Sequence, residues 1–127
     1  DWSAHAAAPV VRVVDAERVR RRLASSPPDA VLADLRERGD FAAGHLPGAV
    51  LLPSHRFAAE FAAVVAEHWP GADPRRTPVI LYCYGRGCTR SRTCAALAAR
   101  NGWRELWWFR DGMDGWRTAR LPVEKGP

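Results

Sequence analysis

Short runs of β-branched and aliphatic residues alternate with stretches of helical periodicity along almost the whole chain, and this alternation narrows the possible folds more than any other feature. Val10 to Val14 reads as a strand. Asp15 is placed to cap a helix running to about Ser25, with Val19 and Leu23 as an i, i+4 pair, and Ser26-Pro27-Pro28-Asp29 breaks it. Ala30 to Leu35 reads as a buried strand, Gly44 to Gly48 as a turn and Ala49 to Leu52 as a short strand. Phe57 to Trp69 is helical, with Phe57, Phe61 and Val64 or Val65 on one face, and Pro70 to Thr77 is a polar loop. Pro78 to Tyr82 is the most apolar strand, which places it at the centre of the sheet. A helix from about Ser91 to Asn101 stops at Gly102, Leu106 to Phe109 is another strand and Met113 to Ala119 a final short helix. Strands separated by helices require an α/β fold, a parallel sheet with helices on both faces.

The 127 residues suit one domain, expected over residues 10–127, behind a flexible lead-in at residues 1–9. The chain opens at Asp1 without a Met, consistent with removal of a signal peptide or a tag. No apolar run approaches the roughly 20 residues of a membrane span, so no membrane partner is expected and the location is a soluble one, cytoplasmic or bacterial periplasmic. The net charge of +5 favours anionic partners. Lys125 is the sole lysine, and the arginines are scattered apart from Arg20-Arg21-Arg22, whose side chains diverge on a helix; nucleic acid is therefore not an expected partner. The chain is expected to be a monomer.

All three cysteines lie between positions 83 and 94, a cluster that points to chemistry more than to stapling. Cys83 follows the apolar strand directly and precedes a Gly- and Arg-rich loop that leads into a helix. Ligands bind at the carboxyl ends of strands in such sheets, and a helix N-terminus offers unpaired N–H groups to an anion. Gly85 and Gly87 are read as turning the loop N–H groups inward as an anion nest, and Arg86, Arg90 and Arg92 add positive charge. The expected result is a thiolate at Cys83 beside a site for an anionic substrate. Three cysteines without a fourth ligand make a poor zinc site, and no metal or organic cofactor is expected.

Four segments in order resemble those of rhodanese domains. Ala33-Asp34-Leu35-Arg36-Glu37 is similar to their "ID-V-R-E" stretch, and Gly44 to Val50 to their "GHIPGA" turn. Val79 to Cys83 resembles the strand that delivers the catalytic cysteine. Asp111 to Trp116 with Leu121-Pro122-Val123 resembles their "GG-x-x-x-W … GLPV" close. The resemblance implies a five-stranded parallel sheet and a bacterial enzyme of sulfur metabolism, moving sulfane sulfur from thiosulfate or a persulfide to a thiol, a protein sulfur acceptor or cyanide. By position it implies that Cys83 is the nucleophile and carries the persulfide. Tyr84, Gly85, Arg86, Gly87, Cys88 and Thr89 then form the substrate cradle, joined by Arg90, while Asp34 and Arg36 are structural near the site. His45 is read as a turn histidine bonded to backbone, and Cys94 as packing.

The loop departs from the family pattern, with Arg90-Ser91 two residues late, so that the loop is longer or Cys88-Thr89 takes the Arg-Ser place. Cys88 could be a resolving thiol, or the nucleophile itself, since Trp107 to Gly112 also resembles a rhodanese-related periplasmic group tied to quinone-dependent alcohol oxidation. Two other functions compete: a redox or persulfide-carrier module cycling Cys83 and Cys88, and an arsenate reductase or phosphatase. Against the last, Arg90 lies one residue beyond the usual seven-residue loop spacing and no general acid is evident.

Overall fold

The computed structural model describes residues 10–25 and 29–127; the expected lead-in at residues 1–9 and the break at Ser26-Pro27-Pro28 lie outside them. Strand β1 (Val10–Val13) leads to helix α1 (Ala16–Leu23), where the Asp15 carboxylate accepts from the Arg18 N–H at 2.8 Å as an N-cap. Then follow β2 (Val31–Asp34), α2 (Arg38–Ala43), β3 (Val50–Leu51) and a 3₁₀ turn (Ser54–Arg56). The chain continues with α3 (Phe57–His68), β4 (Val79–Tyr82), α4 (Arg90–Arg100), β5 (Glu105–Phe109) and α5 (Gly112–Thr118). The five strands form one sheet in the order β1-β5-β4-β2-β3, with every pairing parallel. β4 is the middle strand, and all four of its residues are buried, as its apolar run requires.

Alternation along the strands divides the core into two layers. Val79 and Leu81 face one side with Val31, Ala33 and Leu106, beneath Phe57, Phe61 and Val65 of α3 and Cys94, Ala95 and Ala98 of α4. Ile80 and Tyr82 face the other side with Leu32, Trp107 and Phe109, beneath Val19 of α1 and Met113 and Trp116 of α5. Burying each large side chain of this kind contributes about 1.5–3 kcal/mol. Helices thus cover both faces. Trp107 and Trp108 point to opposite faces: Trp107 is buried beneath the guanidinium groups of Arg18 and Arg22, and Trp108 donates its indole N–H to Ser91 Oγ on α4 at 2.6 Å. Helix α2 has no counterpart in the sequence reading; six residues with Gly39 inside give too short a window for a helical period.

Candidate active site

The parallel register brings the carboxyl ends of β2, β4 and β5 to one edge of the sheet. Cys83 leaves β4 there with 2% of its surface exposed. Residues 84–89 form the loop, and α4 begins at Arg90, so the loop is the longer of the two forms considered. A cavity of about 450 Å³ opens at the loop, lined by Tyr84, Gly85, Gly87, Cys88, Thr89 and Arg90, with Asp114 of α5 opposite. A hollow of similar size between α3 and the start of β5 is lined by Phe61, Val65, Trp69 and Trp103 and offers no titratable group.

The base of the loop is held by the last helix. Met113 N–H donates to the Cys83 carbonyl at 3.0 Å, and Asp114 N–H to the Tyr84 carbonyl at 2.9 Å. This close approach needs Gly112, whose φ is +59° and where a Cβ would stand 2.5 Å from the Cys83 carbonyl oxygen. Neither Gly85 nor Gly87 lies in the left-handed region of φ. Gly85 instead makes room for Asp114, whose Oδ2 would lie 2.5 Å from an added Cβ. The Cys88 N–H closes a turn onto the Gly85 carbonyl at 3.0 Å.

The electrostatics correct the expected thiolate. Burial, the largest influence, pushes the Cys83 thiol up to about 12, and the Cys88 thiol beside it pushes the same way. The Tyr84 N–H on the sulfur and the charge of Arg90 favour the thiolate but do not outweigh burial. The balance of these influences favours the thiol over the thiolate. Cys94 is likewise pushed up to about 12, first by burial and then by Cys88.

The model of the rhodanese-like domain matches residues 15–119. The chain belongs to the rhodanese-like domain family. A sulfurtransferase of Allochromatium vinosum is 27% identical over 114 residues, covering 90% of this chain and 95% of that protein. The HTH-type transcriptional regulator Rv0324 of Mycobacterium tuberculosis is 35% identical over 114 residues, 90% of this chain, and the chain spans 45% of that regulator's length. The solved thiosulfate sulfurtransferase of Pseudomonas aeruginosa is 28% identical with a TM-score of 0.67, over 92% of this chain and 21% of that one.

The rhodanese-like domain gathers most of the residues singled out from sequence. Tyr84, Gly85, Gly87, Cys88, Thr89 and Arg90 share the cavity, and Arg90 lies over the Tyr84 ring at 5.8 Å. Arg86 does not line the cavity; its Nε donates to Asp111 Oδ1 at 2.6 Å. Arg92 is exposed on α4. Asp34 and Arg36 form a buried pair at 2.8 Å, in which Asp34 also accepts from the Tyr82 hydroxyl and Arg36 donates to the Gly44 carbonyl at 2.7 Å. The Leu46 N–H donates to the same Tyr82 oxygen at 3.1 Å, so one network ties the Gly44–Gly48 turn to the sheet beside the site. His45 bonds through Nδ1 to the Phe41 carbonyl at 2.8 Å and stacks on the Phe41 ring, a backbone-bonded turn histidine. Sequence reasoning missed Asp114 and Gly112 as site residues; the signal was present in the Asp111 to Trp116 segment, read there only as a family resemblance. Among the described residues no helix is long and apolar enough to cross a membrane, and no cluster of His, Cys, Asp and Glu could hold a metal ion.

Proposed function

We infer that this rhodanese-like domain is a sulfurtransferase that takes sulfane sulfur from thiosulfate or a persulfide onto Cys83 and passes it to a thiol or cyanide. The observation that carries the reading is the setting of Cys83. It directly follows the central strand, its sulfur accepts the Tyr84 N–H, and the Arg90 charge acts on it beside the cavity at the loop. Cys83 Sγ attacks the outer sulfur of thiosulfate, and the bond to the sulfonate sulfur breaks with its electron pair. Sulfite leaves with the thiol proton, and a persulfide anion remains on Cys83. The outer sulfur then passes to an attacking thiolate or cyanide, with Cys83 as the leaving group. The Tyr84 N–H and, less strongly, the Arg90 charge favour negative charge on the Cys83 sulfur, and the net positive charge of the chain attracts an anionic donor.

Intact mass after thiosulfate treatment, with peptide mapping and a cyanide-dependent thiocyanate assay, tests this. The expected result is sulfite release and thiocyanate formation by the wild type, and neither by Cys83→Ser. Full turnover by Cys83→Ser would remove Cys83 as the nucleophile.

A further inference from the structure

Arg18, Arg21 and Arg22 are spaced i, i+3, i+4, which puts them on one face of α1. With Ser25 and with Trp107 of β5 they line a cavity of about 350 Å³. None of these residues lines the cavity at the Cys83 loop. Within the Arg20-Arg21-Arg22 run, Arg20 lies outside the lining, and its Nε donates to Glu17 at 2.8 Å.

The lining is made of donors that lack an acceptor. The guanidinium carbons of Arg18 and Arg22 stand 5.0 and 5.6 Å from the centroid of the one Trp107 ring, which gathers two like charges over it. Trp107 is 6% exposed, and its indole N–H has no hydrogen-bond partner; Arg22 Nε is buried and unpartnered as well. Buried polar groups are nearly all hydrogen-bonded, so two orphaned donors in the lining of one cavity mark a missing acceptor. The neighbouring carboxylates do not supply it. Glu17 is taken up by Arg20 and stands 3.9 Å from Arg21 Nε, and the exposed Asp29 carboxylate is 3.7 Å from Arg22 Nη2. Among the described residues no carboxylate pairs with the Arg18 guanidinium.

We propose that this cavity binds a phosphoryl group, carried on a small phosphate ester or as the free ion. A phosphoryl group brings up to two charges and three oxygens, one for each guanidinium, whereas a carboxylate brings one charge and two oxygens. Guanidinium groups suit such oxygens because their N–H donors form a planar fork, and the Ser25 hydroxyl adds a further donor at the rim. Arg18 is exposed, and exposed side chains change rotamer within nanoseconds, so it can move aside to admit an oxygen to the indole N–H. The volume lies at the lower end of the roughly 300–1,000 Å³ of small-ligand sites. Glu17 and Asp29, beside Arg21 and Arg22, repel a polyanion that extends beyond the cavity. The site is independent of the chemistry at Cys83.

The test is a titration of the isotope-labelled chain, read at the tryptophan indole N–H resonances at fixed ionic strength. Inorganic phosphate and a nucleoside monophosphate are the two ligands, and Trp107→Phe identifies the Trp107 resonance by its loss. A saturable shift of that resonance with either ligand is the expected result, and the tighter of the two tells the free ion from the ester. Arg18→Ala, at an exposed position, is expected to keep the fold and to weaken binding about tenfold, the loss of a hydrogen bond to a charged group. Arg18→Ala combined with Arg22→Ala is expected to weaken it further, and Arg20→Ala, outside the cavity, to leave it unchanged. No saturable shift with either phosphate, the same shift with chloride, or equal weakening by Arg20→Ala overturns the proposal. Saturation by a duplex oligonucleotide alone overturns it too, and would make this face a nucleic-acid contact.

Discussion

Arg36 and Asp34 show what a single buried pair does for this site. Their side chains are 3% and 0% exposed, and the guanidinium also holds the Gly44 carbonyl. Arg36→Met leaves the Asp34 carboxylate buried with the Tyr82 hydroxyl as its remaining side-chain partner and strips the Gly44 oxygen of that donor. Breaking one side of such a pair costs about 3–5 kcal/mol, and urea unfolding should record that loss; a loss under about 1 kcal/mol would mean the pair adds little beyond an exposed one. The loop arginines divide in the same way. Arg90 lies against Tyr84 in the cavity and its charge acts on Cys83, whereas Arg86 is spent on Asp111 across an exposed contact. Arg90→Ala is expected to raise the thiosulfate KM with a smaller effect on kcat, the pattern of lost uniform binding, and Arg86→Ala to leave both close to wild type. A collapse of kcat for an aryl phosphate in Arg90→Ala, with wild type inactive on thiosulfate, would make the protein a phosphatase instead.

Two helices position the loop from outside its own sequence. Helix α2 supplies Asp40, which accepts from the Tyr84 hydroxyl at 2.6 Å, and the first turn of α5 supplies the N–H groups that hold the Cys83 and Tyr84 carbonyls. The contact between α5 and the loop depends on Gly112. A methyl group at this position meets the backbone of Cys83, Tyr84 and Gly85, at 2.5 to 3.0 Å, and φ is +59°. Gly112→Ala should cost about 1–3 kcal/mol in backbone strain and lower thiosulfate turnover further by moving the loop. Gly87→Ala meets nothing within 4 Å and has no positive φ, so it should leave stability within about 0.5 kcal/mol. Urea unfolding and thiosulfate:cyanide assays on the two variants make the comparison; equal effects would mean that α5 does not set the loop.

Across the whole molecule, the buried thiols link stability to alkaline pH. Burial first, then Cys88, pushes both Cys83 and Cys94 up to about 12, and burial first, then Asp34, raises Tyr82 as well. An acid whose pKa is raised in the folded state binds its proton there after the unfolded chain has lost it. Its contribution is therefore complete below the ordinary thiol value of about 8.5 and is lost from there up to the folded value. The urea midpoint should fall as pH rises above about 8.5, and Cys94→Ala should fall less steeply; a midpoint independent of pH in that range would contradict the neutral thiols. The alternation of elements, the central place of Val79 to Tyr82 and the family motifs could all be read from the sequence. Helix α2 could not, because its period is too short to register. The loop was legible as a set of residues but not as a geometry. A list of nearby arginines and glycines names the charges and the freedom available, without saying which side chain turns outward or how far water is excluded. Local periodicity and strand-end position belong to neighbouring residues and are written in the order of the chain. The desolvation of Cys83, the outward turn of Arg86 and the need for Gly112 follow from burial and packing between segments distant in sequence, which only the tertiary structure brings together.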